Sequence, residues 1–260
     1  MPRLAANLTM LFTDLAFEDR FEAARRAGFQ GVEMLFPYDI PASTLRKAAN
    51  RARMPVALIN TPAPNWSGGP RGFAAVPDNV PLFQRDFLRA LKLARTLKAR
   101  HIHIMAGNAL GDDAHRAFIA NLTWAAAQDP DQSLTIEPIN QIDRPGYFLS
   151  DFDQAAAILE QVGAANLGLQ YDAYHAQMIT GDALAVLQRH LSHIRHVQIA
   201  GCPGRAEPTG GQIDYPAIFA ALDRAGYDGW ISAEYHPAGL TEPGLGWLSD
   251  VQGTKATSIR

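Results

Sequence analysis

The chain predicts an α/β fold, a single (β/α)8 TIM barrel. Eight short strand-like runs alternate with eight amphipathic stretches over 260 residues, a length that suits one such barrel. No glycine-rich dinucleotide fingerprint follows the first run, which weakens the open doubly wound alternative. Four consecutive runs in the second half close on a polar residue: Glu137 in LTIEPIN, Asp172 in LGLQYDAYH, Gln198 in IRHVQIAG and Glu234 in WISAEYHP. In a parallel barrel those positions share the carboxyl face, where active sites are built.

In chain order, strands are expected near 4–12, 31–37, 55–62, 101–107, 134–140, 167–175, 194–201 and 230–237. Each is a β-branched or leucine-rich run. Helices are expected near 15–27, 42–53, 82–98, 113–128, 151–163, 182–191, 215–226 and 241–251. LFQRDFLRALKLARTLKA carries the clearest helical spacing. Asp151 and Asp182 stand where N-caps belong, and Gly28, Gly163 and Gly226 where helices should stop. Residues 61–79 form a long Pro- and Gly-rich loop after strand three, of the kind that often covers a site. A second shaped loop, GCPGRAEPTGGQID, follows strand seven. Residues 1–260 read as one domain with a frayed tail over 252–260.

A formal charge of −3 gives no general attraction to nucleic acid. No apolar run approaches a membrane span, and the opening MPRLAANLTMLF reads as a strand rather than a signal peptide. Cys202 is the sole cysteine, so no intrachain disulfide forms; a cytoplasmic location is expected. The four lysines, Lys47, Lys92, Lys98 and Lys255, all fall on expected helices or the tail. Schiff-base chemistry needs a lysine at a strand end and is nearly excluded. Homo-oligomer formation is left open.

Side chains alternate faces along a strand. Glu137 therefore shares its face with Thr135, Asp172 with Gln170, Gln198 with His196, and Glu234 with Ser232. Four inward polar rows need each other or an ion. Three converging carboxylates repel, and an oxygen-rich set suits Mg²⁺ or Mn²⁺; a metal-free buried network is the rival reading. Two glutamates flanking a substrate suit proton abstraction next to a carbonyl through an enediolate.

The stretches PRLAANLTMLF, GFQGVEMLFPYD, LTIEPIN, YDAYHAQ, HVQIAGCPGRAEP and AEYHPAGLTEPGLGW resemble the hydroxypyruvate isomerase family of the xylose isomerase-like barrels, from residue 3 to about 250. The resemblance implies metal ligation by Glu137, Asp172, Gln198 and Glu234, with Glu137 and Glu234 also the acid–base pair. His175 matches a substrate-binding histidine of related ketose epimerases, and Arg205 matches a family arginine. The implied reaction is metal-assisted isomerisation of a small sugar acid, hydroxypyruvate to 2-hydroxy-3-oxopropanoate (tartronate semialdehyde). The opening MPRLAANLTM, VQIAG and GLTEPGLGW look closer to the sister 2-oxo-tetronate isomerases, whereas IEPIN and Trp66 look closer to hydroxypyruvate isomerases. Ile59 and Gln141 stand where that group has histidines.

Other residues carry two readings each. Arg205 is expected to fix a substrate carboxylate with its planar fork, or to be a solvated loop residue. Asn60 reaches substrate or packs, and Trp66 and Arg71 cover the site or pack the long loop. Glu33, alone in an apolar strand, is expected to be a buried partner of an arginine. His196, His101 and His103 read as core or second-layer residues, and Cys202 has no evident base beside it. A ketose 3-epimerase and a sugar-acid-binding barrel without activity are further alternatives. An endonuclease of the same fold would need more metal ligands near strands three and four, where Ile59, Asn60 and Met105 stand.

Overall fold

A computed structural model describes residues 3–63, 69 and 71–253. Eight parallel strands close in sequence order into a barrel: β1 (Arg3–Asn7), β2 (Gly31–Met34), β3 (Val56–Asn60), β4 (His101–His103), β5 (Ser133–Ile136), β6 (Leu167–Asp172), β7 (Ile194–Ile199) and β8 (Trp230–Ala233). Closure is made by β1 against β8, with Arg3 opposite Trp230 and Ala6 opposite Ala233. The helices are α1 (Phe17–Arg26), α2 (Ala42–Ala52), α3 (Val80–Leu97), α4 (Gly111–Gln128), α5 (Phe152–Val162), α6 (Ala173–Thr180), α7 (Ala183–His190), α8 (Tyr215–Arg224) and α9 (Gly246–Gly253). The open-sheet alternative is thereby removed. Among the described residues no helix is long and apolar enough to cross a membrane.

Local chemistry explains most boundaries. Asp151 accepts from the Gln154 amide at 2.7 Å and Asp182 from the Ala185 amide at 2.9 Å, so both expected N-caps form. Asp214 caps α8 in the same way, accepting from Ala217 at 3.0 Å. α3 buries Phe83, Phe87, Ala90 and Ala94 on one stripe. Phe87 meets Trp124 of α4 edge-on at 5.8 Å between ring centroids.

Several boundaries differ from expectation. β1 stops at Asn7 because the amides of Met10 and Leu11 turn back to its carbonyl. β5 and β8 stop one residue short of Glu137 and Glu234, where the ladder with the neighbouring strands ends. β6 stops at Asp172, whose side chain accepts from the Tyr174 amide at 2.8 Å and starts α6. His175 therefore lies in the first turn of a helix, not in a strand. α9 reaches Gly253, so residues 252 and 253 of the expected tail are helical; residues 254–260 lie outside the described residues.

The barrel interior is plugged at its amino end by Trp230, which packs with Ala5 and Ala57 apart from the main core. A Cβ on Gly31 would lie 2.7 Å from the Trp230 ring, so the bulky ring and the bare backbone fit as a pair. Above the plug the interior is polar: His101, His103, Thr135, Gln170, His196 and Ser232 are all buried. Thr135 donates to Gln170 Oε1 at 3.0 Å, as the alternation along β5 and β6 requires.

The stretch after β4 clamps two loops of the mouth. Gly72 pairs antiparallel with Ala106, and Asn108 with Tyr147. Gly107 sits at φ +87°, and a Cβ there would meet the Gly72 carbonyl oxygen at 2.3 Å. Gly111, at φ +80°, has nothing within 4 Å of that position. Gly111→Ala is expected to cost about 1–2 kcal/mol, the strain of the left-handed conformation alone. Gly107→Ala should cost clearly more, because the clamp must also open. Urea midpoints of the two variants check this, and equal losses would show that the clamp is loose.

Candidate active site

The four strand-end residues meet at the carboxyl face. Glu137 follows β5, Asp172 ends β6, Gln198 lies in β7 and Glu234 follows β8. Ladder register places Asp172 opposite Gln198 and Gln198 opposite Ser232. All four are buried. They line or underlie a cavity of about 690 Å³, whose wall includes Asn60, Glu137, His175, Arg205 and Glu234.

A continuous hydrogen-bond network joins them. Gln170 donates to Glu137 Oε2 at 3.0 Å and to Gln198 Oε1 at 2.9 Å. Gln198 donates from Nε2 to Glu33 Oε1 at 2.9 Å and to Glu234 Oε2. Asn7 donates to Glu33 Oε1 at 2.9 Å and to Glu234 Oε2 at 3.0 Å. Arg205 Nη2 bridges Asp172 Oδ2 at 2.9 Å and Glu234 Oε1 at 2.8 Å. Its guanidinium carbon also lies 5.1 Å from the Tyr174 ring centroid. Arg205 is thus no solvated loop residue. One of its nitrogens already serves two acids of the cluster, which is not the free carboxylate fork that the sequence suggested.

His175 projects from the first turn of α6 with Nε2 3.7 Å from Asp172 Oδ2. Its Nδ1 lies 2.8 Å from the Asn140 amide nitrogen, which fixes the ring. Asn60 lines the cavity; its Nδ2 lies 3.8 Å from Met105 Sδ and its buried Oδ1 has no partner among the described residues. The position of Trp66 falls outside the described residues.

Glu33 corrects one expectation. Its partner is not an arginine but His196 at 2.8 Å, with Asn7 and Gln198. Burial works to raise its pKa, yet the His196, Gln198 and neighbouring hydrogen bonds more than reverse this and hold it at about 2. The three acids at the mouth are shifted the other way. Burial, then the charge of Asp172, pushes Glu137 well up. Burial also raises Asp172 and Glu234, against the opposing pull of Arg205. Arg205 itself is opposed by burial but stays charged, above its ordinary pKa, because Asp172 and Glu234 surround it. Burial lowers His103 to about 3; the neutral ring lies 3.5 Å from Glu137 Oε2.

These residues fit a hard divalent ion. Glu137 Oε1 is buried without a partner among the described residues, and the mouth carboxylates are short of positive charge. Glu137, Asp172 and His175 offer ligand atoms within 4.8 Å of one another. His175 joins the cluster as a nitrogen donor that the sequence assigned to substrate. Gln198 is present but turns its amide nitrogen to the acids and its oxygen to Gln170. Serving as an oxygen ligand would require its amide to turn over. Asn7, Asn140 and Gln170 are site residues that carried no separate signal as ligands or bases. Gln170 alone was foreshadowed, as the inward neighbour of Asp172.

The comparisons with known proteins agree with this geometry. The family described as xylose isomerase-like TIM barrel matches residues 21–251. A 2-oxo-tetronate isomerase of Cupriavidus necator is 45% identical, covering 97% of this chain and 100% of that protein. The hydroxypyruvate isomerase of Escherichia coli is 37% identical, covering 95% of this chain and 98% of that one. A crystal structure titled as a family 2 AP endonuclease from Brucella melitensis superposes with a TM-score of 0.93 at 37% identity, covering 96% of this chain and 99% of that one. With the fold, the order of its motifs and full-length relatives all in agreement, the chain belongs to the xylose isomerase-like TIM barrel family, as one of its isomerases.

Proposed function

We propose that the chain is a metal-assisted isomerase of small 2-oxo sugar acids, converting hydroxypyruvate to 2-hydroxy-3-oxopropanoate. One observation carries the reading: Glu137 and Glu234 line a single cavity from strands three places apart on the ring, with Asp172 and Arg205 between them. A second reading, isomerisation of a 2-oxo-tetronate, is favoured by the 45% identity to the Cupriavidus necator protein that bears that name.

A divalent ion, Mg²⁺ or Mn²⁺, held by Glu137, Asp172 and Glu234 with His175 or Gln198, would act as a Lewis acid toward the substrate's carbonyl and hydroxyl oxygens. The chain's own residues move the protons. One glutamate takes the proton from C3 of hydroxypyruvate; the C–H electrons become the C2–C3 double bond, and the carbonyl electrons move to O2. The other glutamate, protonated, gives its proton to C2, where the double-bond electrons form the new C–H bond; the O3 proton passes to O2, which becomes the product hydroxyl, and O3 becomes the new carbonyl oxygen. Buried carboxylates with raised pKa values are stronger bases than exposed ones, which suits this work. Arg205 puts a fixed positive charge beside the oxygens that become electron-rich. Gln170 and Asn7 hold Glu137 and Glu234 in place from below. Asn60 offers an unpartnered oxygen to a substrate hydroxyl.

Incubation in deuterated water tests the reaction. Deuterium should enter the product carbon from hydroxypyruvate, from a 2-oxo-tetronate, or from both, and the better substrate decides between the two readings. Epimerisation of neutral ketoses without aldehyde–ketone exchange would replace the proposal with a 3-epimerase.

Glu137→Gln and Glu234→Gln are each expected to lower turnover by about 10²–10⁴-fold, with the circular dichroism spectrum kept. Full activity in either variant removes that residue from the mechanism.

Metal affinity should rise with pH. The mouth acids bind protons more tightly in the folded chain than in the unfolded one. In metal-free protein their contribution to stability is therefore present below the ordinary carboxylate pKa and is lost as pH rises through the raised values. A cation competes with those same protons, so Mn²⁺ binding strengthens over that window and restores the lost stability. Calorimetric titration at several pH values, paired with melting temperatures, measures both. Affinity that is flat with pH would show that ligation does not involve the raised acids.

A further inference from the structure

The cavity is lined by three arginines with different commitments. Arg205 is bound to Asp172 and Glu234. Arg71 and Arg144 line the same cavity from opposite loops, one after β3 and one after β5. Both loops are pinned to the stretch that follows β4. Gly72 pairs with Ala106, and the Ala75 amide donates to the Ala106 carbonyl at 2.8 Å. Asn108 pairs with Tyr147 and donates from Nδ2 to the Pro145 carbonyl at 3.0 Å. The turn bearing Arg144 is closed further by Gln141, which accepts from Gly146 at 2.8 Å and donates to Tyr147 at 2.7 Å.

Backbone pairing therefore sets where the two loops, and with them the two arginines, stand. Among the described residues no carboxylate lies within 4.0 Å of the Arg144 guanidinium. The acid next in sequence, Asp143, instead accepts from Asn140 Nδ2 at 3.1 Å. Arg71 lies over the Phe36 ring, 5.5 Å from its centroid, where its charge is partly out of water. Each arginine stands in the other's field: Arg71 is lowered by burial and then by the charge of Arg144. Two cations brought toward one cavity repel unless an anion enters between them. Planar guanidinium groups pair well with a carboxylate.

We infer that Arg71 and Arg144 form an anion subsite at the cavity rim and hold the carboxylate of the substrate, while Arg205 stays with the acids at the reacting carbons. The assignment rests on the sugar-acid reading above and deepens it. It gives the substrate a direction: carboxylate toward the loops after β3 and β5, hydroxyl-bearing carbons toward Glu137 and Glu234.

Ligand-observed NMR on the Mg²⁺-loaded protein tests the subsite without turnover. The probes are D-glycerate, glycerol and glycerol 3-phosphate, which share a skeleton and differ at one end. Arg144→Ala and Arg71→Ala should each weaken glycerate binding by about 10- to 100-fold and leave glycerol binding unchanged. Arg144→Lys should recover part of the loss, because a point charge replaces the fork. Melting temperatures of the variants separate a lost contact from a lost fold. Unchanged glycerate affinity in the double variant overturns the subsite, as does an equal loss for glycerol. Tighter binding of glycerol 3-phosphate that depends on Arg144 overturns the carboxylate assignment in favour of a phosphoryl end. If the wild-type protein isomerises neither sugar acid while glycerate binding still depends on both arginines, the subsite stands and the proposed reaction falls.

Discussion

Four carboxylates are buried inside one barrel, and the structure is organised around keeping them there. Burying an ionised carboxylate alone costs several kcal/mol, so each must find a hydrogen-bond donor, a positive charge or a proton. Glu33, deepest of the four, has three donors in His196, Asn7 and Gln198 and stays ionised. Glu137, Asp172 and Glu234, nearer the mouth, are buried beside one another with a single guanidinium among them, and their pKa values rise. Glu33 is thus satisfied by its donors, and the upper layer is left short of positive charge. A site of that kind can take a cation without the fold having to change.

The framework makes this possible because it resists the repulsion from outside the polar layer. The ladder closes through all eight strands, with register shifts only at Val32/Glu33 and Leu169/Gln170, and Trp230 fills the amino end of the barrel. Apolar helix faces, such as the Phe83 and Phe87 stripe of α3 against Trp124, bury the outer surface of the sheet. Gln170 and Gln198 transmit that rigidity inward. Each amide contacts three neighbours, so shifting one acid disturbs the next. The loops at the mouth are held by backbone pairing to the stretch after β4, and that pairing places cationic side chains where they face the cavity.

The division of labour among the arginines follows from the same electrostatics. A guanidinium close to three under-compensated acids is drawn to them, and Arg205 is in reach from its loop after β7. Its stacking on Tyr174 keeps the side chain in that direction. The rim cations Arg71 and Arg144 line the same cavity from the loops after β3 and β5. On the proposed assignment a negatively charged substrate would meet positive charge at the rim as well as at the reacting centre, an arrangement that would favour one orientation of a small acid.

The sequence by itself determined the barrel and the ring of candidate residues. Alternating periodicity is a local property, and a polar residue closing an apolar run is visible without knowing its neighbours, which is why Glu137, Asp172, Gln198 and Glu234 were legible. Caps such as Asp151 and Asp182 were legible for the same reason, since their partners lie three residues away. Partners distant along the chain were decided only by the tertiary structure. Glu33 meets His196 across 163 positions and Asn7 meets Glu234 across 227, and no local pattern encodes such pairs. The orientation of the Gln198 amide and the choice of Arg205 between acids and solvent depend on charges that gather only when the barrel closes. The start of α6 at Asp172, which carries His175 into the site on a helix, depends on a cap that competes with strand continuation, and the end of the β6 ladder settles that competition.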